Sequence, residues 1–324
     1  MYNKLKEYFA KITDNKSGNI VILFVVLQLA LIIISLLYPD KFRYVSQANM
    51  RVLFRAIPTL GIIALGVNLL MISGEFDLSV GSNFAFSALI LAILFNSGVP
   101  VFVSIIVALI VGSIIGAING VITVKSQVPS FIITLGSMMF WRGMVILVSQ
   151  GQAESFRAPD FYRNIFISSF GVIQMQFVWF IIVAIVTWLI LERHKFGNYT
   201  FASGGDKKTA KALGININLV KIINYSIVGF LTAFAAIIST MRVQQVSPQQ
   251  GEGLELQAIA ACVIGGTALM GGKGSVMAAV LGASLLFTIE DVLILLRAPG
   301  FYLQLFIGLL IIVAAVINQK LSKE

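Results

Sequence analysis

The sequence predicts an all-α, polytopic membrane protein with about ten transmembrane helices, some of them short or broken. Of its 324 residues, 58% are hydrophobic and only 11% are charged, and the mean hydropathy is +0.94. Soluble domains carry roughly a quarter charged residues, so a soluble core cannot account for this composition. Apolar runs of about 17–25 residues, the length at which a helix crosses a bilayer, recur along the whole chain. Basic residues gather at the ends of these runs.

Ten apolar runs predict the transmembrane spans. They are Asn19–Tyr38, Val52–Ser73, Asn83–Phe95, Val101–Val124, Ser130–Ser149, Phe177–Leu191, Ile222–Met241, Leu254–Ala268, Val276–Leu296 and Phe301–Ile317. The third, sixth and eighth runs are short, which indicates broken or tilted helices. Membranes tolerate such helices only where protein or a water-lined cavity covers the backbone. The fourth run carries Gly112, Gly116 and Gly120 on one face, a spacing that predicts close packing against another helix.

The basic residues orient the chain in the membrane. By the positive-inside rule, residues 1–19, 318–324 and 192–221 lie in the cytoplasm. The last of these segments has six basic residues against two acidic ones. Residues 152–176 form the predicted outer loop. Residues 38–57 also fall outside despite four basic residues, and we interpret them as an amphipathic helix lying on the membrane surface before the second span.

Composition also excludes several classes of function. The basic residues sit at span ends rather than on one patch, so the net charge of +9 does not indicate nucleic-acid binding. With one histidine and one cysteine, no span holds the cluster of side chains that an intramembrane enzyme requires. The lone Cys262 excludes a disulfide and a cysteine-based metal site. We therefore expect no cofactor and no metal.

The loop 192–221 contains a predicted short helix, Asp206–Leu213. Asp206 can cap its N-terminus and Gly214 can end it. The helix is either a projection that a cytoplasmic partner binds or part of a solvated loop that joins two spans. Composition leaves both alternatives open. The residues of this candidate coupling element are Gly204, Gly205, Asp206, Lys207, Lys208, Ala210, Leu213 and Gly214.

Two Gly-rich stretches, Ile72–Ser82 and Ile264–Ser275, resemble each other. Each ends in Gly-Ser before a small apolar helix, one in each half of the chain. Such similarity indicates a weak internal repeat, as in duplicated transporters, although chance repetition of Gly-Ser is the alternative. The Gly-Lys-Gly at 272–274 is not a phosphate-binding loop, since that loop needs Gly-x-x-x-x-Gly-Lys-Ser/Thr after a strand.

Three stretches together resemble one family. The segment Gly66–Leu91 with its GEFDLSVGS core, the loop Phe196–Gly214 (FGNYTFASGGDKKTAKALG) and the segment Gly253–Gly282 with ACVIGGTALMGGKGSV are similar to the ribose-type branch of bacterial ABC importer permeases. The order and spacing match from about Tyr44 to Ile317. This chain has Glu75 where the usual pattern has a second glycine, which leaves the substrate open. The family residues are Gly74, Asp77, Ser79, Gly81, Gly265, Gly266, Gly271, Gly272 and Gly274.

The resemblance implies one permease domain, residues 1–324, in the bacterial cytoplasmic membrane. It implies a transporter subunit rather than an enzyme, which forms the path for ribose or a related sugar. The implied partners are a second permease subunit, identical or paralogous, a separate cytoplasmic ABC ATPase, an extracytoplasmic sugar-binding protein and the lipid bilayer. It also identifies the loop 192–221 as the coupling loop.

A polar stripe is the candidate translocation path. Ser130, Thr134 and Ser137 share one face of the fifth span, and Asn119 lies on the preceding span. A sugar needs neutral hydroxyl and amide partners, although such hydroxyls often bond back to their own helix. Arg142 follows on the same helix, where a basic residue is functional until it is paired.

The alternative function is an ion-coupled secondary transporter, and the positions of the acidic residues test it. Glu75, Asp77, Glu290 and Asp291 all fall near span ends, which counts against an ion site at the membrane middle. Asp77, with Ser79 and Ser82, either caps the third span or lines a polar vestibule. Glu290 and Asp291 are expected to hold Arg297, Arg142 or an incoming binding protein.

Overall fold

A computed structural model describes residues 16–302, 305–309, 312, 313 and 316. The main helices of this part of the chain are α1 (Lys16–Leu37), α2 (Gln47–Ile72), α3 (Val80–Asn96), α4 (Val101–Ser126), α5 (Ser130–Ser149), α6 (Asp160–Ile167), α7 (Met175–Trp188), α8 (Lys195–Gly205), α9 (Lys207–Ala212), α10 (Ile217–Val243), α11 (Leu254–Ile264) and α12 (Val276–Leu295). Phe301 and Tyr302 are also helical. The N-terminal segment up to residue 15, the tail 318–324 and part of the predicted tenth span lie outside the described residues.

Seven helices in the described residues are long and apolar enough to cross a membrane. These are α1, α2, α4, α5, α7 with its extension, α10 and α12, while α3 and α11 are shorter apolar helices. The all-α polytopic class is confirmed. Sheet is limited in this region to two-residue strands, in which β1 (Glu154–Ser155) pairs with β4 (Gln245–Val246), and β2 (Ser169–Phe170) with β3 (Ile173–Gln174).

The core is built on α2, α3, α4 and α10. The inner half of α2 is almost wholly buried, and α10 packs against α2, α3 and α4. Glycines allow the closest approach, as the sequence predicts. A Cβ on Gly116 would overlap the carbonyl oxygen of Tyr225, and one on Gly112 would lie 2.5 Å from the Cβ of Ala233. Around this core, α5 packs on α3, α7 and α12 on α2, and α1 on α12.

Two predictions about the spans are wrong. Residues 47–57 are not a separate surface helix, because α2 begins at Gln47 and runs on through Pro58. Its 26 residues, about 39 Å at the helical rise, are longer than the roughly 30 Å hydrocarbon core, so residues 47–57 are the first turns of a long membrane helix. The sixth span is not short either, since α7 continues as a π-helical turn (Leu189–Arg193) that completes a 19-residue apolar segment.

The loop 192–221, predicted to be cytoplasmic, is more structured than expected. It contains α8 as well as the predicted short helix, α9. The next helix, α10, begins at Ile217. Lys221 therefore belongs to a membrane helix, where it is buried, and not to the solvated loop.

Candidate coupling junction and translocation path

Helix α9 begins at a well-formed cap. Oδ1 of Asp206 accepts hydrogen bonds from the backbone N–H of Lys208 (2.9 Å) and of Thr209 (3.2 Å), and the Thr209 hydroxyl donates to Oδ2 at 2.6 Å. The bonds from Thr209 and Lys208 lower the pKa of Asp206, because they stabilise its charged form. The helix ends at Leu213 and Gly214, which adopts a positive φ of 75°. Leu213 is 72% exposed, so the end of α9 presents an apolar side chain on the surface.

The three family-like stretches meet directly behind α9. We call the set Gly74, Gly204, Gly205, Gly271 and Gly272 the inner junction. The Gly272 N–H donates to the Ile72 carbonyl at 2.8 Å. A Cβ on Gly271 would lie 2.8 Å from the Cα of Gly74, and one on Gly272 would lie 2.6 Å from the Cα of Gly205. Only glycine permits these backbone contacts, so the end of α2, the end of α8 and the loop before α12 form one unit.

A buried ion pair lies beside the inner junction. Nζ of Lys221, on α10, contacts Oε1 of Glu75, in the loop between α2 and α3. The two side chains are only 10% and 11% exposed. Lys207 on α9 is close enough that the charge of Lys221 lowers its pKa, with partial desolvation acting the same way and Glu75 opposing. The pair thus connects α10 to the loop between α2 and α3, next to the inner junction.

A cavity of about 690 Å³ opens next to this ion pair. Its walls come from the loop after α2, the α4–α5 connection, α9 and the start of α10. Its polar lining consists of Glu75, Thr123, Gln127, Ser130, Lys207, Lys211, Asn218 and Lys221. We refer to it as the cytoplasmic cavity. Neutral hydroxyl and amide groups here suit a hydroxylated solute, and the lysines and Glu75 give the mouth a positive balance.

A buried polar network holds the residues between α2 and α3. The Asp77 Oδ1 accepts from the Ser79 N–H (2.8 Å) and the Ser79 hydroxyl (2.6 Å), and Asn119 Nδ2 donates to Ser79 Oγ at 2.8 Å. The hydroxyl of Tyr225 donates to the Phe76 carbonyl at 2.9 Å. Asp77 thus holds the turn that leads into α3, although the N-cap residue Ser79 makes no side-chain cap hydrogen bond. The Asp77 Oδ2 has no hydrogen-bond partner among the described residues.

The predicted polar stripe divides into two parts. Ser130 lines the cytoplasmic cavity, and its Oγ accepts from the Phe76 N–H at 3.2 Å. Thr134 is fully buried and its hydroxyl donates to the Ser130 carbonyl one turn earlier, at 2.8 Å. Ser137 is half-buried further along α5. The structure thus joins Asn119 and Ser130 to the 74–79 loop and leaves Thr134 and Ser137 apart from them.

The remaining family-like residues serve other close contacts. A Cβ on Gly265 would overlap the Ala278 carbonyl, and one on Gly274 would lie 2.7 Å from the Ile72 side chain. Gly266 has a positive φ of 97°. Gly81 lies against Gly251, away from the inner junction.

Sequence reasoning missed some residues and misplaced others. Asn68 accepts from Thr267 (2.6 Å) and donates to the Ser275 carbonyl (3.1 Å), which ties α2 to the second Gly-rich loop. The sequence signal for Asn68 was an amide side chain within an apolar run, which must find hydrogen-bond partners. Asp291 accepts from Asn49 Nδ2 at 2.7 Å rather than holding Arg142. The described residues hold no group of three or more side chains that could bind a metal.

Comparison with known proteins identifies the family. Residues 49–315 match the family described as the permease component of branched-chain amino acid transport systems. The chain belongs to this permease family. It is 34% identical to the ribose import permease RbsC of Bacillus subtilis (strain 168), over 92% of each chain, and 34% identical to that of Haemophilus influenzae, over 93% of each. It is 31% identical to the autoinducer 2 import system permease LsrC of Escherichia coli O9:H4, over 86% of this chain and 81% of the relative. No solved structure gives a significant match.

Family membership settles the broad class. The chain is a multi-pass permease of the cell membrane, and it is a transporter component rather than an enzyme. The relatives are permeases of import systems, which counts against the ion-coupled alternative.

Proposed function

We propose that this permease is the membrane-spanning subunit of an ATP-driven importer for ribose or a related sugar, delivered by an extracytoplasmic binding protein. The similarity to two ribose import permeases over more than nine-tenths of the chain is the observation that carries this proposal. The cytoplasmic cavity supports it, because its walls offer hydroxyl and amide groups of the kind that replace water around a sugar.

We propose that the ATPase binds α9. This helix is fixed to the membrane core by the inner junction, while its Leu213 projects into the cytoplasm. A displacement of α9 therefore has to move the ends of α2 and α8 with it. Charge reversal of Lys207 and Lys208 should abolish sugar-stimulated ATP hydrolysis and leave the subunit folded, and full stimulation would contradict the assignment.

A second permease subunit is the proposed partner within the membrane. Helix α5 packs on one side only and exposes Phe131, Met139 and Phe140. Because Ser130 at its start lines the cytoplasmic cavity, a second subunit along α5 would complete the path. Phe140→Cys in a Cys262→Ala background should form a disulfide-linked dimer in membranes. A lipid-facing α5 would give monomer only.

Reconstitution tests the whole proposal. The permease, its ATPase and its binding protein in liposomes should take up labelled D-ribose only when ATP is present. Leucine is the matched competitor, because the family description concerns branched-chain amino acids. Uptake of leucine instead of ribose would overturn the substrate, and uptake driven by an ion gradient without ATP would overturn the mechanism.

A further inference from the structure

The helix of the eighth span is long enough to cross only about half of the membrane. Helix α11 has 11 residues, which is about 16 Å at the helical rise, against a hydrocarbon core of about 30 Å. The preceding residues 247–253, Ser-Pro-Gln-Gln-Gly-Glu-Gly, form turns rather than helix. We call them the unwound segment. It begins just after the outer strand β4 and leads down to α11.

Contacts place the unwound segment within the membrane. The Ser82 hydroxyl donates to the carbonyl of Met138, which lies midway along the 20-residue α5, so the start of α3 is near the membrane middle. A Cβ on Gly251 would lie 2.6 Å from the carbonyl oxygen of Gly81, the second residue of α3. The unwound segment therefore crosses the outer half of the membrane and touches α3 at its middle.

Arg142 holds this segment in place. Its Nη1 donates to the carbonyl oxygens of Pro248 (2.6 Å) and Gln250 (3.0 Å). Arg142 lies on α5 about two turns from the outer end, and its two hydrogen bonds satisfy backbone groups that no helix serves.

One side of the unwound segment is open. Gln249 and Glu252 are exposed, whereas Pro248 is buried. Non-helical backbone persists at membrane depth only where protein covers it or where it lines a water-filled cavity. Exposed amide and carboxylate side chains at this depth fit the second condition, because lipid would leave them without partners. Discontinuous helices form solute sites in other transporter folds for the same reason.

We propose that the unwound segment lines the outer half of the translocation path, that Gln249 and Glu252 face the passing hydroxylated solute, and that Arg142 is the positioning residue for this wall. The inference rests on the proposed function only for the identity of the solute. The proposal places the outer half of the path along the unwound segment, which Arg142 of α5 contacts. The Ser137 face of α5 is then no longer the outer path.

Accessibility to a polar reagent tests the position of the segment. In a Cys262→Ala background, Gln249→Cys should react with the membrane-impermeant thiol reagent MTSET added to the outer side of the complete transporter, and modification should block D-ribose uptake. Ile114→Cys is the matched control, because Ile114 is exposed midway along the apolar helix α4 and should resist the reagent. Equal protection of both cysteines would overturn the proposal. Failure of the Cys262→Ala background itself to take up ribose would overturn the substrate and leave the labelling result valid.

Substitution of Arg142 tests its role. Arg142→Met should slow the labelling of Gln249→Cys by about tenfold or more, the loss expected for hydrogen bonds to a charged group. Arg142→Lys keeps the charge and one donor group, so it should recover part of the rate. Co-purification of each Arg142 variant with the ATPase checks that the subunit is folded. Unchanged labelling in Arg142→Met would show that the segment holds its position without Arg142.

Discussion

Lys221 and Arg142 are both cations within membrane-spanning helices, and the protein satisfies them in different ways. Lys221 pairs with the carboxylate of Glu75 beside the inner junction. Arg142 donates to two backbone carbonyls in the outer half. The ion pair joins elements already locked by glycine contacts, whereas the guanidinium shapes a segment with no regular structure. We infer that the inner end moves as one body with α9 and that the outer end forms a fixed polar wall.

The first prediction has the largest expected effect, because it disrupts the close backbone contacts of the inner junction. A Cβ on Gly204 would overlap the Ile72 carbonyl and lie 2.8 Å from the Gly272 nitrogen, so backbone must shift. We expect Gly204→Ala to abolish ATP-driven uptake. Gly205→Ala is the matched control, because its Cβ would meet the Gly272 Cα at an ordinary 3.6 Å. Equal uptake by the two variants, measured in reconstituted liposomes, would show that the junction is not rigid.

The second prediction removes the charge pair that distinguishes the inner end from the outer end. Loss of one partner from a buried pair typically costs about 3–5 kcal/mol, because the other charge stays buried. We expect Glu75→Gln or Lys221→Met to lower the thermal unfolding temperature of the purified permease markedly. The double variant should recover most of the loss, because it leaves no unpaired charge. Additive losses in the double variant would argue that the two side chains act independently.

Much of the fold follows from the sequence, because lipid imposes simple rules. Long apolar runs must become helices, so α1, α4, α5 and α12 begin and end close to their predicted bounds. The cap at Asp206 and the Gly112–Gly116–Gly120 face were readable for the same reason, since each is a local pattern. The start of α2 was misread because the charged first turns of a long membrane helix look like a surface helix in sequence.

The site was less predictable, because its contacts join residues far apart in sequence. Glu75 and Lys221 are separated by 146 positions, and only the fold shows that they pair. Each Gly-rich stretch was visible alone, but their meeting depends on how α2, α8 and α11 pack. The partner of Arg142 was out of reach as well, since backbone carbonyls carry no sequence signature.

The third prediction tests whether the N-terminal cap of α9 matters for coupling. Asp206→Ala removes the oxygens that accept from Lys208 and Thr209, so α9 should fray and sugar-stimulated ATP hydrolysis should fall several-fold. Asp206→Asn keeps an acceptor and should retain most of the activity. Because the pKa of Asp206 is lowered in the folded protein, its charged cap is lost only as pH falls below the ordinary aspartate range. The alanine defect should therefore be constant between about pH 5 and 8.

The smallest expected effect concerns Thr134, which separates the two ends of α5. Its buried hydroxyl already bonds the Ser130 carbonyl in its own helix, so it is not available to a solute. Thr134→Val keeps the shape and should cost less than about 1 kcal/mol, with ribose uptake close to that of the unchanged permease. Ser130→Ala is the comparison, because it strips the acceptor from the Phe76 N–H beside the cytoplasmic cavity and should lower uptake more. If Thr134→Val lowers uptake several-fold while Ser130→Ala does not, the path follows the face of α5 and not the two ends described here.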